Sequence, residues 1–152
     1  MKFKSPLAAC TLVTIFCFST SVQAAASAED AIKYRNLVMD SMAAHYGALM
    51  LVLFDKVEVT GTAQSHADAL ANASAELDQL FPEISREGET EALPAIWKNA
   101  AAFAKSVSKA QAAANDLQAA IGSDDRKATL SAAAAVGKSC KGCHESYRAE
   151  EE

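Results

Sequence analysis

Cysteine and basic charge are both scarce in this chain, and each shortage excludes a class of protein. Of the 152 residues only 4 are cysteine, and Cys10 and Cys17 lie in the leading apolar segment. The other two could close only one small disulfide loop, which would add little stability to a domain of this size. Lys and Arg number 14 against 19 Asp and Glu. This acidic balance argues against nucleic acid or an anionic membrane surface as the partner and favours a basic protein.

The chain also lacks runs of β-branched residues, internal repeats, a phosphate-binding loop and a nucleophile with a paired base. Without those chemical motifs we expect no enzyme activity. Apolar residues recur at spacings of three and four, which predicts helices and no strands. Half of the residues are hydrophobic, at 51%, but many are alanines of small volume. A core this thin would suit a large apolar prosthetic group.

The first residues have the pattern of a cleaved export signal. Lys2 and Lys4 precede an apolar stretch over residues 7–18, and small residues at 22 and 24 suit a signal peptidase. The apolar stretch is shorter than the roughly 20 residues that a spanning helix needs, which disfavours the alternative of a retained anchor. We therefore predict a signal peptide over 1–24, a single mature domain over 25–152 and a periplasmic location, with no membrane attachment. Removing the two lysines leaves 12 basic against 19 acidic residues, a formal charge of −7.

Four helices are predicted in the mature chain, joined by short links and one acidic loop. Short links between helices of similar length favour antiparallel neighbours, so the fold class is all-α, an up-down-up-down four-helix bundle. The fourth helix is expected to be capped by Ser123 and the two aspartates that follow it. The helices are predicted at 28–57, 64–80, 94–122 and 126–148, and the loop at 82–93.

The sequence CKGCH at residues 140–144 is the strongest chemical signal. Two thiols separated by two residues can each add across one vinyl group of haem, and the adjacent imidazole then lies under the iron. Cys140, Cys143 and His144 share one helical face, so attachment and ligation require no distortion. We predict one covalent haem c, with His144 as an iron ligand. Gly137, one turn earlier, is expected to make room for the flat macrocycle.

Two other interpretations of the CxxC pair were weighed. A structural zinc site normally needs four ligands, and the remaining candidates, His45 and His66, lie on different predicted helices without paired spacing. We interpret both histidines as solvated. Thioredoxin-like chemistry would require a strand before the CxxC helix, and none is predicted.

Three stretches of the chain resemble the class II c-type cytochromes, the cytochrome c' family. They are AIKYRNLVMDSMAAHYG at 31–47, PAIWKNAAAF at 94–103 and CKGCHESYR at 140–148. The resemblance covers essentially the whole mature chain. It implies a four-helix bundle with the haem motif near its C-terminal end, and a homodimer formed through the first two helices.

The resemblance also implies a role for three residues outside the CKGCH motif. Arg35 would reach a haem propionate, and Met39, four residues later on the same helical face, would face the distal side of the haem. Arg148 would lie beside the proximal histidine, His144. The alternatives are that Arg35 is a surface cation, that Met39 fills the core, and that Arg148 favourably ends a helix.

Met39 decides between two functions. If its thioether binds the iron opposite His144, the protein is a low-spin electron carrier with a redox partner protein, which is our first prediction. Met42 and Met50 are weaker candidates for that ligand. If Met39 only packs against the haem, the iron is five-coordinate and high-spin and binds nitric oxide or carbon monoxide. A peroxidase-like reaction is a third reading, but the sequence offers no distal His and Arg pair.

Overall fold

The computed structural model describes residues 27–123 and 125–150, so the predicted signal peptide and Asp124 lie outside the described residues. All regular elements in this part of the chain are helical, apart from one isolated bridge pair. In chain order they are α1 (Ala28–Leu53), α2 (Ala63–Ser74), a 3-10 helix (Glu83–Arg86), α3 (Ala95–Lys98), α4 (Ala100–Ile121) and α5 (Arg126–Tyr147).

Helix α1 begins and ends for local reasons. The side chain of Ser27 accepts a hydrogen bond from the Asp30 backbone N–H at 3.0 Å, and two acidic residues occupy the first turn, where the helix dipole is positive. The helix ends at Leu53, four residues before the predicted end, because Asp55 adopts a left-handed conformation with φ 53°.

The predicted third helix is broken. Asn99 has φ −130° and ψ 56°, outside the helical region, and separates α3 from α4. Its carbonyl accepts hydrogen bonds from the backbone N–H groups of Ala102 and Phe103, each at 3.0 Å, which begins α4. The predicted second helix is also shorter than expected. After Ser74 the chain continues in turns, one of them closed by a bond from the Leu77 N–H to the Ser74 carbonyl at 3.2 Å.

The predicted four-helix bundle is confirmed, with α3 and α4 together forming its third member. Helix α1 packs on α2, α2 on α4, and α4 on α5. The first and last helices are joined directly, because Tyr46 donates a hydrogen bond to the Ala133 carbonyl at 3.0 Å. The largest fully buried hydrophobic side chains are aliphatic: Leu49, Leu70, Leu80, Leu117 and Val136. The predicted cap of α5 is provided by Asp125, which accepts a bond from the Ala128 N–H at 3.0 Å.

Among the described helices, α1 is long and apolar enough to cross a membrane by length and composition alone. It carries the buried Arg35 and packs on α2. We interpret it as a helix of the bundle whose apolar outer face needs a separate explanation.

Candidate functional site

The last turns of α5 carry the residues of the CKGCH motif. Cys140 and Cys143 are half-buried and their thiols are free. Burial raises the pKa of both thiols, and for Cys143 the neighbouring Cys140 adds to the effect. Burial, followed by the positive charge of Arg148, lowers the pKa of His144. The lowered pKa favours the neutral imidazole, which is the form that binds a metal.

A cavity of about 640 Å³ opens between α1, α5 and the loop at 82–93. Five of the six predicted site residues line it: Arg35, Met39, Cys143, His144 and Arg148. The sixth, Cys140, lies one turn earlier on α5 and packs against the edge of the core. Met39 on α1 and His144 on α5 therefore line one shared space.

Aromatic side chains form an apolar part of the cavity wall. The ring centroids of Phe81 and Phe103 lie 4.8 Å apart, edge to face, and those of Phe103 and Tyr147 lie 5.0 Å apart. Phe81 is not among the site residues predicted from the sequence. Its one sequence signal is that a large apolar residue directly precedes Pro82.

Arg35 is a buried cation at the edge of this cavity. It is 3% exposed and donates hydrogen bonds to Ser85 Oγ at 3.0 Å and to Thr90 Oγ1 at 2.6 Å. Its guanidinium lies 5.0 Å from the centroid of the Phe81 ring, and burial lowers its pKa. In the described part of the chain no carboxylate lies within ion-pair distance of it. A buried charge with only neutral partners is costly, so the site favours an anionic group beside Arg35.

The end of α5 is tied to the loop that forms the other side of the cavity. The Leu93 N–H donates to the Tyr147 carbonyl at 2.9 Å, and the Ala149 N–H donates to the Glu91 carbonyl at 2.8 Å. Arg148 forms an ion pair with Glu91 at 2.6 Å. The sequence indicated only an acidic loop here. The structure shows that the loop supplies cavity-lining residues, including Thr90 and Glu91.

Gly137 makes room for a side chain of α1. A Cβ atom at this position would lie 2.6 Å from the hydroxyl oxygen of Tyr46. The predicted role of this glycine beside the macrocycle stays a prediction.

The interpretation of His45 and His66 as two separate solvated residues is wrong. Their Nδ1 atoms lie 3.1 Å apart and both rings are partly buried. One imidazole donates to the other, which joins α1 to α2. No sequence spacing indicates this pair, because the two residues meet only when the helices pack.

The residues of the cavity fit a covalently bound haem. Two free thiols and an imidazole lie at positions 140, 143 and 144, on one face of α5. An aromatic wall suits a flat apolar ring, and Arg35 suits its carboxylate substituents. The individual roles of Cys140, Cys143, Arg35, Met39, His144 and Arg148 stay predictions.

Comparisons with known proteins agree with this chemistry. The family model for cytochrome c' matches residues 30–148. Cytochrome c' from Rhodospirillum rubrum is 32% identical over 133 residues, which are 87% of this chain and 90% of the relative.

Two solved structures of variants of cytochrome c prime from Alcaligenes xylosoxidans have a similar fold. A ferrous variant with bound nitric oxide is 30% identical, with a TM-score of 0.76 over 83% of this chain and 98% of its own. A variant with bound carbon monoxide is 31% identical, with a TM-score of 0.75 over 82% and 98% of the two chains.

These relatives overturn the first functional prediction. A diatomic gas binds haem iron most readily at a coordination position that no protein side chain occupies. The gas-bound neighbours therefore favour an open sixth position over a thioether bound opposite the histidine. The prediction of a low-spin electron carrier ligated by both His144 and Met39 is wrong.

The family match spans residues 30–148 and includes every residue of the CKGCH motif. It agrees with the helical bundle, the free thiols and the cavity beside them. The chain belongs to the cytochrome c' family and carries one covalent haem c.

Proposed function

We propose that the protein binds nitric oxide or carbon monoxide at a five-coordinate, high-spin haem iron whose only protein ligand is His144. One observation carries the proposal: His144 on α5 and Met39 on α1 line a single cavity whose wall is partly aromatic. The gas-bound neighbours support it. The proposed activity is reversible binding, and no catalysis is proposed.

Each residue of the site has a proposed task in holding the cofactor. The sulfur atoms of Cys140 and Cys143 form the two thioether links, and His144 supplies the proximal nitrogen. Arg35 lies beside a propionate, and Arg148 stays in its ion pair with Glu91 next to the proximal side. The bound haem supplies an iron with one open coordination position.

Met39 is proposed to cover the distal side without binding the metal. Its unbranched thioether can change rotamer at low cost, so it can move aside for a diatomic molecule. An apolar cover also excludes water from the open position.

The test is the spin state of the purified holoprotein and of Met39→Leu, which removes the sulfur and keeps the apolar volume. We expect high-spin absorption and electron paramagnetic resonance signals in both, because the proposal places no sulfur on the iron. The matched control is Met42→Leu, the same exchange in the buried core away from the cavity. A low-spin parent that becomes high-spin only in Met39→Leu would reject the proposal.

Gas binding is measured on the same proteins. Carbon monoxide should bind the reduced parent, and Met39→Ala should accelerate its association because the distal cover is smaller. Met42→Ala is the control for a general loosening of the fold and should leave the association rate unchanged. A reduced parent that binds neither gas would contradict the proposal.

Export to the periplasm and reduction by a partner protein belong to the same proposal. The leading residues have the features of a signal peptide, and the family match begins only after them, at residue 30. Carbon monoxide binds ferrous iron, so the protein needs an electron donor. The mature charge of −7, from 12 basic and 19 acidic residues, favours a donor with a basic surface.

A homodimer through α1 is proposed from its outer face. Tyr34, Leu37, Leu51 and Phe54 are each at least half exposed, at 53%, 58%, 50% and 52%. Residues 34, 37, 41, 44, 48 and 51 follow alternating spacings of three and four, the pattern of a helix that packs along a partner helix. We call these six positions the α1 stripe.

A further inference from the structure

We propose that His45 and His66 form a binding site for a divalent transition metal ion, separate from the haem. The site goes beyond gas binding and does not depend on it. His45 lies on α1 and His66 on α2, so the ion would bridge the two helices. Imidazole nitrogen is a preferred ligand of Zn²⁺, Cu²⁺ and Ni²⁺.

The separation of the two Nδ1 atoms is that of two neighbouring ligands of one ion. The Nδ1 atoms are 3.1 Å apart, the ring centroids 5.4 Å apart, and the ring planes are inclined by 49°. With a metal–nitrogen distance of about 2.05 Å, a 3.1 Å separation gives a ligand–metal–ligand angle of about 98°. That value lies between the right angle of a square and the tetrahedral angle.

The number of protons on the two imidazoles also permits a metal ion to bind. Each neutral imidazole carries one proton, and in the observed contact one Nδ1 donates while the other accepts. If the donor's proton moves to its Nε2 atom, both Nδ1 lone pairs become available. No net proton loss is needed, and the ion replaces the shared hydrogen as the link between the helices.

The rest of the chain limits where such an ion could bind. The sequence has 3 histidines, and the proposed function commits His144 to the iron. Among the described residues, no group of three or more His, Cys, Asp or Glu side chains could hold a metal. The site therefore has two protein ligands, with water at the remaining positions. The acidic mature chain favours the approach of a cation.

The experiment titrates chelator-treated holoprotein with ZnCl₂ by isothermal calorimetry in a buffer that does not bind zinc. We expect one Zn²⁺ per chain, and an affinity at least about tenfold weaker in His45→Gln and in His66→Gln, because loss of a second-shell group alone weakens metal sites by this factor. Zn²⁺ should raise the melting temperature of the parent but not that of the variants.

Asp68→Asn is the matched control on α2. This carboxylate lies two residues from His66 but accepts hydrogen bonds from Gln64 and Gln118, so zinc affinity should be unchanged. Equal zinc affinity in the parent and both histidine variants would overturn the proposal. So would a loss of binding only in Asp68→Asn, or one ion bound per two chains.

A measurement without substitutions covers the case in which a variant fails to fold. In the parent holoprotein, Zn²⁺ should protect both His45 and His66 from acylation by diethyl pyrocarbonate, as read from peptide masses. Unchanged acylation of both residues at saturating zinc would reject the site.

Discussion

At the scale of single residues, Arg35 has the most unusual environment. It is an almost fully buried cation whose hydrogen bonds go to the hydroxyls of Ser85 and Thr90. Removing a guanidinium from water costs several kcal/mol unless a negative group compensates. The proposed propionate would provide that compensation. A substitution of Arg35 should therefore change the properties of the haem more than the stability of the fold.

We expect Arg35→Gln to lower the reduction potential of the haem iron, because loss of a nearby positive charge favours the ferric state. Redox titration measures the change. The control is Arg86→Gln, which removes an exposed arginine that is paired with Glu83 and lies 6.0 Å from the centroid of the Trp97 ring. Equal potentials in the parent and Arg35→Gln would show that Arg35 does not face a propionate.

Each site residue predicted from the sequence lies within a few positions of another site residue on the same helix or at its end. Cys140, Cys143 and His144 lie within two helical turns, and Arg35 and Met39 are four residues apart on one helix, so helical periodicity alone aligns them. Phe81 and Thr90 reach the same cavity from irregular segments, where no period relates sequence position to direction. For this reason the loop contribution to the site could not be predicted.

At the scale of helices, α1 and α5 are joined where Tyr46 meets Gly137. The Tyr46 hydroxyl donates to the Ala133 carbonyl at 3.0 Å and fills the space that a Cβ on Gly137 would need. Burial raises the pKa of this tyrosine, and the nearby Cys140 adds to the effect. The contact fixes the spacing between the two helices that line the cavity.

Gly137→Ala should lower the free energy of unfolding by about 1–3 kcal/mol, since overpacking forces a shift of side chain or backbone. This loss would outweigh the helix propensity of alanine, which is worth about 1 kcal/mol over glycine. Chemical denaturation of the holoprotein measures the difference.

Two controls separate the steric clash at residue 137 from the difference in helix propensity between glycine and alanine. Gly47→Ala, on α1, would place its Cβ where no atom lies within 4 Å, so it should stabilise the protein. In a Tyr46→Phe background the nearest remaining ring atom is 3.5 Å from the new Cβ, an ordinary contact, and Gly137→Ala should cease to destabilise. An equal loss in both backgrounds would exclude the hydroxyl as the cause.

Helix limits were predictable only where short-range signals determine them. Ser27 and Asp125 are side-chain caps of known type and mark the starts of α1 and α5. The break at Asn99 has no such signal, because it lies between stretches that both favour helix. Tertiary context can override helix propensity at such a position.

At the scale of the whole molecule, the α1 stripe leaves three large apolar side chains exposed, those of Tyr34, Leu37 and Leu51. Burial of an exposed leucine contributes about 1.5–3 kcal/mol, so a few such residues can support association. The stripe also accounts for the membrane-like composition of α1.

Leu37→Glu combined with Leu51→Glu should convert the proposed dimer to a monomer, because both charges would be buried unpaired in the interface. Light scattering after size exclusion measures the mass. The control is Ile84→Glu, an exposed apolar residue on the 3-10 helix at 49% exposure. Monomeric parent protein would contradict the dimer, and gas binding should be unchanged in all three proteins.

The link between the first and last helices has a consequence for how the chain folds. Tyr46 and Ala133 are 87 residues apart in sequence, and Arg126 donates across 73 residues to the Leu53 carbonyl at 2.8 Å. Contacts of such long sequence separation carry the greatest loop-closure entropy and so tend to form late. We therefore expect helices that are neighbours in sequence to pair first. The contact between α1 and α5 should form last. Until α1 contacts α5, the thiols of Cys140 and Cys143 would remain accessible from solvent.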